Sequence, residues 1–345
     1  MLHPQNGQVA SGLAAKRSVS GRDDRQDWMT LKKYFWPLVG AATIAISAWL
    51  LYKELRGLSL DDLHDSLAQI PTHGWVLAGL CSLVAYAALA GYDRIALMHL
   101  DRRVNWLFIA LASFTAYALS HNVGASVISG GMVRYRAYSS KGLTAREIGG
   151  LIALCSFTFL LGALLLTGLV LVLEPDITER FGDLLPMGAS TATGRVILGL
   201  VGLYAIASML RLRPLRIRSF QVTYPAPPVV LSQLLVGPME LIGAAGIIYF
   251  ALPELGNPGF VVVLGIFLVS FSAALISHAP GGLGVLELVF VMGLPEMDQA
   301  DVIAALLVFR LFYLLIPLAI ALLVIPIFER TQFRAGQEPD GDNEI

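Results

Sequence analysis

Long apolar runs alternate along this chain with short polar stretches. At roughly 20 apolar residues per membrane crossing, eight segments qualify: 34–55, 74–100, 106–121, 147–173, 194–210, 228–252, 259–278 and 300–328. Two further apolar stretches, 125–138 and 282–294, are too short to cross and predict half-helices or re-entrant arms. Each short arm follows a long segment, and the two pairs resemble one another. Phe114-Thr-Ala-Tyr-Ala-Leu-Ser-His121 aligns with Phe271-Ser-Ala-Ala-Leu-Ile-Ser-His278, and each is followed by a glycine pair, Gly130-Gly131 and Gly281-Gly282. The histidines lie 157 positions apart and the glycines 151, so the first copy carries six extra residues in its turn. Glycine breaks and polar residues recurring at matching places in two halves of an apolar chain point to a binding site near the membrane middle.

Composition agrees with the pattern: 56% of residues are hydrophobic, 14% are charged and the mean hydropathy is +0.69. Such a chain is an integral membrane protein. The expected fold is an all-α polytopic membrane protein, with about eight transmembrane helices plus two half-spanning or re-entrant segments in an inverted-repeat arrangement. The expected division is a polar cytoplasmic tail (1–33), one membrane domain (34–328, repeat one about 34–173 and repeat two about 194–328) and a second cytoplasmic tail (329–345). No apolar run stands behind Lys16 and Arg17 at signal-peptide distance, so no cleavage is expected. Cys81 and Cys155 fall inside apolar spans, where a thiol packs well and neither a disulfide nor a metal pair is suggested.

The arginines and lysines set the expected topology, because cytoplasmic loops carry their excess. Lys32 and Lys33, then Arg102 and Arg103, then Arg134, Arg136, Lys141 and Arg146, then Arg211, Arg213, Arg216 and Arg218 form four basic sets expected inside. The alternate connections carry Asp61, Asp62 and Asp65, then Glu174, Asp176, Glu179 and Asp183, then Glu254, then Glu296 and Asp298, and are expected outside. Each long-plus-short pair must then enter and leave on one side as a hairpin. The first opens inward and the second outward, which inverts the repeat and leaves both termini in the cytoplasm of a cell with an inner membrane. Inverted repeats with broken helices recur in transporters that expose a central site to each side in turn; the plainer alternative is a duplicated bundle with a purely structural purpose.

The breaks locate the chemistry. Ser129-Gly130-Gly131 and Pro280-Gly281-Gly282-Leu283-Gly284 each precede a predicted helical stretch. A helix that begins at mid-depth leaves its first N–H groups unpaired, and with the helix dipole these favour an anion such as phosphate or carboxylate. Charges inside spans sharpen the expectation, since one at a span centre costs roughly 2.5–3.5 kcal/mol on insertion scales. Glu240 is central to the sixth span, Arg310 lies in the eighth, Glu287 in the second arm and Arg134 with Arg136 in the first. The offset of 151 sets Arg136 opposite Glu287, so an arginine on one arm and a carboxylate on the other are candidates to pair. Plainer readings stand beside these: positive-inside anchoring for Arg134 and Arg136, a structural Glu240–Arg310 ion pair, and snorkelling of Asp93 and Arg94 at a span end. His121 and His278 occupy equivalent turns and read either as satisfied helix-end imidazoles or as a proton relay. Thr144-Ala-Arg-Glu147 predicts a capping box that starts the fourth span.

These residues carry a family resemblance. Ser120-His-Asn-Val-Gly124 with Ser129-Gly-Gly-Met-Val-Arg134-Tyr-Arg136, then Ser277-His-Ala-Pro-Gly-Gly-Leu-Gly284-Val-Leu-Glu287, together with Gly91-Tyr92-Asp93, resemble the transmembrane, flippase-like domain of lysylphosphatidylglycerol synthases over about 34–328. The resemblance implies a domain that moves aminoacylated phosphatidylglycerol between leaflets, while a separate cytosolic domain makes that lipid. No transferase domain follows the last span in this sequence, so synthase activity is not expected to carry over.

The expected substrate is a membrane lipid with an anionic head group: an anionic or aminoacylated phospholipid, or a polyprenyl-phosphate lipid. Its phosphate would meet the break amides and Arg134 or Arg136, and Glu287 or Glu240 would accept an amino group or balance an arginine. No Gly-x-x-x-x-Gly-Lys-Ser/Thr loop occurs, so direct ATP drive is not expected. No cofactor, metal or nucleic-acid partner is expected, and a homo-oligomer is left open. Two other classes compete. A membrane enzyme would use His121, Ser129, Glu240 and His278, yet the chain has neither a His-Glu-x-x-His motif nor a Gly-x-Ser-x-Gly elbow. A non-transporting partner that organises an envelope assembly would tolerate neutral replacements of Arg136, Glu240, Glu287 or Arg310.

Overall fold

A computed structural model of the protein describes residues 60–123, 126–184, 191–210, 215–217, 220–222, 225–277 and 280–335. The predicted first span, 34–55, lies outside the described residues. Among them the architecture is helical: α1 (Leu60–Gln69), α2 (Thr72–His99), α3 (Trp106–Val123), α4 (Ser126–Ser139), α5 (Ala145–Leu173), α6 (Thr191–Met209), α7 (Pro227–Ala251), α8 (Phe260–Ser277), α9 (Val285–Gly293), α10 (Gln299–Phe309) and α11 (Ile316–Ala335). Short 3-10 segments occupy Pro175–Leu184 and Pro280–Gly282, and a π-helical segment, Arg310–Leu315, joins α10 to α11. A small hairpin pairs β1 (Leu215–Ile217) with β2 (Phe220–Val222) in the basic loop before α7.

The protein is a membrane protein. Five stretches among the described residues are long and apolar enough to cross a bilayer: Thr72–His99, Ala145–Leu173, Thr191–Met209, Pro227–Ala251 and Gln299–Pro326. Phe260–Ile276 is a shorter apolar helix. The two arms predicted as half-helices are separate helices, α4 with 14 residues and α9 with 9. At about 1.5 Å per residue neither can cross the hydrocarbon layer alone. The last span carries a π-helical segment in its middle. Helix α11 then runs to Ala335, past the predicted end at 328.

Local signals in the sequence account for the helix ends. Thr144 caps α5 through a reciprocal box: the Glu147 N–H donates to the Thr144 hydroxyl at 3.3 Å and the Thr144 N–H donates to Glu147 Oε2 at 2.8 Å. Pro227 and Pro228 open α7, where a missing N–H costs nothing. Asp298 caps α10 by accepting from the Ala300 N–H at 2.8 Å.

Helices in lipid gain little from hydrophobic transfer, so close backbone approach and interhelical hydrogen bonds decide which pairs pack. The principal contact is α2 against α7. A Cβ on Gly243 would stand 2.7 Å from the Cys81 carbonyl oxygen, one on Gly74 2.6 Å from the Phe250 carbonyl oxygen, and one on Gly91 2.7 Å from Val236. As numbers rise along α2 they fall along α7, so these two helices run antiparallel. Helix α5 crosses α7 as closely, with the Gly162 Cβ position 2.4 Å from the Gly237 backbone, and here both helices run in the same direction. Helix α3 packs on α11, and α5 packs on α8. Apolar side chains such as Leu200, Leu203 and Ile206 on α6, and Leu231 and Leu235 on α7, are exposed on the outer surface, where lipid solvates them. The two ends of the bundle are tied by ion pairs: Arg102 with Glu147 at one, and Arg180 with Glu296 at the other.

Candidate functional site

The end of α3 meets the Pro280–Gly282 interruption inside the bundle. The His121 carbonyl oxygen lies 4.0 Å from where a Gly281 Cβ would be. The Asn122 side-chain amide donates to the Leu314 carbonyl in the π segment at 3.2 Å.

The second interruption is built as its glycines predict. Gly281, Gly282 and Gly284 have φ of 60°, 66° and 78°, which a residue with a Cβ adopts only with strain. The first differs from expectation. Gly130 and Gly131 do not precede their helix but lie inside α4, which starts at Ser126. Gly130 serves close approach instead: a Cβ there would fall 2.2 Å from Ser120 Oγ and 3.3 Å from the Ala116 carbonyl oxygen, both on α3. The break expected at Ser129-Gly130-Gly131 is not there, because α4 runs through all three residues. Ser129 falls in α4 as well, and His278 lies outside the described residues.

Five charged side chains are buried among the described residues: Asp93, Arg134, Glu240, Glu287 and Arg310. Arg134, on α4, forks onto Asp93 of α2, with Nε donating to both carboxylate oxygens (3.1 and 3.2 Å) and Nη2 to Oδ1 (2.9 Å). The Tyr138 hydroxyl donates to Asp93 Oδ2 at 2.8 Å, and the Cys155 thiol from α5 lies 3.4 Å from Oδ1. The guanidinium rests 4.4 Å over the Tyr117 ring, an arrangement in which charge, planarity and π-face all favour arginine. Asp93 is therefore no snorkelling residue, since it is fully buried, while neighbouring Arg94 is exposed. A carboxylate within an apolar span carried that signal in the sequence; its partner, 41 residues on, did not show.

The second ion pair corrects two expectations. Glu287 takes Arg310, through Nε at 2.9 Å and Nη2, and not the pseudo-symmetric Arg136, which is exposed on α4. Arg310, so engaged, is also not the partner of Glu240. Its Nη1 donates to the Gly281 carbonyl at 3.2 Å, which ties the last span to the interruption. The Gly284 N–H donates to Glu287 Oε2 at 2.9 Å, so one amide at the start of α9 is already occupied by the helix's own carboxylate.

Glu240 accepts from the Tyr313 hydroxyl. The π segment sets Tyr313 there and turns three successive carbonyls outward: Phe312 accepts from Ser82 (2.8 Å), Tyr313 from Tyr86 (2.9 Å) and Leu314 from Asn122. Single π turns of this kind are frequent at functional sites. The His121 ring stacks on the Tyr313 ring at 4.9 Å. Tyr92, next to Asp93, donates to the Gly237 carbonyl at 3.0 Å one turn before Glu240. Ring contacts through Tyr117, His121 and Tyr313 thus lead from Arg134 to Glu240. Sequence reading gave Tyr86, Tyr117 and Tyr313 no role, since aromatic residues in apolar spans look like packing; Tyr92 entered only with Gly91 and Asp93 in the family resemblance.

A family model described as the lysylphosphatidylglycerol synthase TM region matches residues 40–321. The chain belongs to this family. It is 31% identical over 311 residues to an uncharacterized protein of Synechocystis, slr0712, covering 89% of this chain and 95% of that one. It is 32% identical over 250 residues to the inner membrane protein YbhN of Escherichia coli, covering 70% and 76%. A phosphatidylglycerol lysyltransferase of Staphylococcus haemolyticus is 26% identical over 282 residues, 79% of this chain but 32% of that protein. The chain therefore spans about a third of the lysyltransferase's length.

Proposed function

We propose that this family member is a translocator that carries a phospholipid or lipid-linked anionic head group between the leaflets of an inner membrane, and that it is not an enzyme. The observation that carries the reading is the meeting of two interrupted hairpins around buried ion pairs, with the α3 end against Gly281. Irregular backbone at membrane depth is tolerated where protein buries it or where it lines a watery cavity, and buried charges inside a membrane bundle mark transport pathways by default. The antiparallel run of α2 and α7, which occupy matching places in the two halves, supports an inverted repeat with eight crossings and two re-entrant arms. The basic connections support a cytoplasmic position for both termini.

Within this reading Arg134 and the amides at the start of α4 receive the phosphate, Ser129, Gly130 and Gly131 lie along its path, and Asp93 releases the arginine as the phosphate arrives. Gly281, Gly282, Glu287 and Arg310 form the opposing gate. Arg136, exposed near the end of α4, attracts the head group at the entrance. The lysyltransferase relative supports phosphatidylglycerol or its aminoacyl ester as the lipid, and polyprenyl phosphates offer the same phosphate.

The test is reconstitution into liposomes with labelled phosphatidylglycerol, aminoacyl phosphatidylglycerol or polyprenyl phosphate. Wild type is expected to equilibrate one of these lipids across the bilayer, and Arg134→Ala and Glu287→Gln to lose most of that rate while remaining folded. Wild type that moves none of the lipids faster than empty liposomes under any gradient would sink the proposal and leave a non-transporting partner role in its place.

A further inference from the structure

Of the five buried charged side chains, three are acids and two are bases. Arg134 is committed to Asp93 and Arg310 to Glu287. Glu240, 1% exposed, has no basic partner among the described residues, and its Oε2 has no hydrogen-bond partner at all. The one other buried polar side-chain atom in that condition among the described residues is His121 Nδ1. Both residues touch the same tyrosine: Glu240 receives its hydroxyl, and His121 lies on its ring at 4.9 Å with the planes 17° apart.

The two orphans are complementary. A carboxylic acid that accepts from Tyr313 on Oε1 still has an O–H donor on Oε2, and a neutral imidazole with its proton on Nε2 has an acceptor at Nδ1. A bare carboxylate with an empty lone-pair edge and no counter-charge is too costly to bury, so it binds a proton instead.

We propose that Glu240 and His121 form a proton-binding site, with the proton resting on Glu240 Oε2. When the interruptions move, that O–H bond breaks and a new N–H bond forms at His121 Nδ1, leaving carboxylate and imidazolium. The imidazolium then releases its proton to water on the side to which the end of α3 opens, and Glu240 takes its next proton from water on the other side. Resting on the translocator reading, this makes the proton gradient the energy source of lipid movement.

The ionisable groups facing Glu240 leave the proton no competing owner. Helix α2 supplies Tyr86 and Tyr92, and α3 supplies Tyr117 and His121. The π segment supplies Tyr313 and the committed Arg310. Cys155 on α5 is bonded to Asp93, Tyr204 on α6 is bonded to Gln233, and α8 has no ionisable residue between Phe260 and Ser277. Asp301 lies in the first turn of α10.

Infrared difference spectroscopy of the purified protein in lipid tests the site directly. A carbonyl band of a protonated carboxylic acid is expected in wild type, weakening as pH rises and absent from Glu240→Gln. Tyr313→Phe keeps the acid but removes the hydrogen bond to its carbonyl, so the band is expected at higher frequency. A wild-type spectrum without a protonated-acid band, or a band unchanged in both variants, overturns the proposal even if lipid is transported. In the liposome assay an imposed pH gradient is expected to accelerate lipid movement several-fold in wild type and not at all in Glu240→Gln. Equal acceleration in both overturns the coupling. A wild type that shows the band yet moves no lipid sinks the translocator reading and leaves the proton site standing.

Discussion

The two interrupted hairpins share an outline and differ in how each is held. In the first, the arm carries the base: Arg134 on α4 reaches a carboxylate on α2 that also holds Tyr138 and lies beside Cys155. In the second, the arm carries the acid: Glu287 on α9 caps its own helix and takes Arg310 from the last span. The glycines divide in the same way, since Gly130 and Gly131 lie inside a helix while Gly281 and Gly282 form the interruption itself. The two helix pairs thus differ in where they place their charges. In the translocator proposed above, the arm with the arginine receives the phosphate and the arm whose first turn already bears a carboxylate holds the gate.

Thermal unfolding of five single variants and one double variant would break or sharpen that contrast. Arg310→Met leaves Glu287 buried with its Gly284 amide alone, and removing one partner of a buried pair costs about 3–5 kcal/mol. Thermal unfolding in detergent should show this as the largest loss, largely recovered in the Arg310→Met, Glu287→Met double variant. Arg134→Met should cost less, near the low end of about 3 kcal/mol, because Asp93 retains the Tyr138 hydroxyl. Equal losses would mean that the two pairs are held alike.

The glycines offer the next test. Gly282 has φ of 66°, and a Cβ there would meet Leu286 at 2.2 Å, so Gly282→Ala is expected to cost about 1–3 kcal/mol through strain and overpacking. Its counterpart Gly131 lies within a helix, where a Cβ would meet Ile152 at 3.4 Å. Gly131→Ala should be neutral or stabilise by up to about 1 kcal/mol, and a loss as large as that of Gly282→Ala would contradict the assigned break. The smallest effect is expected from Arg180→Gln. Its pair with Glu296 is partly exposed, and such pairs contribute at most about 1 kcal/mol, so the melting temperature should hardly move.

Membrane class, the helical segments from 74 onward, both short arms and the Thr144 capping box were legible because each rests on local chemistry: run length, capping residues and proline positions. The repeat of Phe114–His121 at Phe271–His278 likewise marked two regions that come together, since the end of α3 lies against Pro280–Gly282. The partners of the charges were not legible. Arg136 and Glu287 match in sequence offset, yet α4 turns Arg134 rather than Arg136 inward, one helical step that no offset reveals. The π segment was invisible as well, because its cause lies in Ser82, Tyr86 and Asn122, more than 190 positions from it, which bond its carbonyls.

By itself the sequence determined that this chain must bury its backbone in helices and which residues are too costly to face lipid, since the bilayer imposes those terms segment by segment. Only the tertiary structure decided that Asp93 holds Arg134, that Arg310 holds Glu287 and that Glu240 stands without a base. Pairing in an apolar interior depends on helix rotation and crossing, and these follow from contacts between segments far apart in the chain.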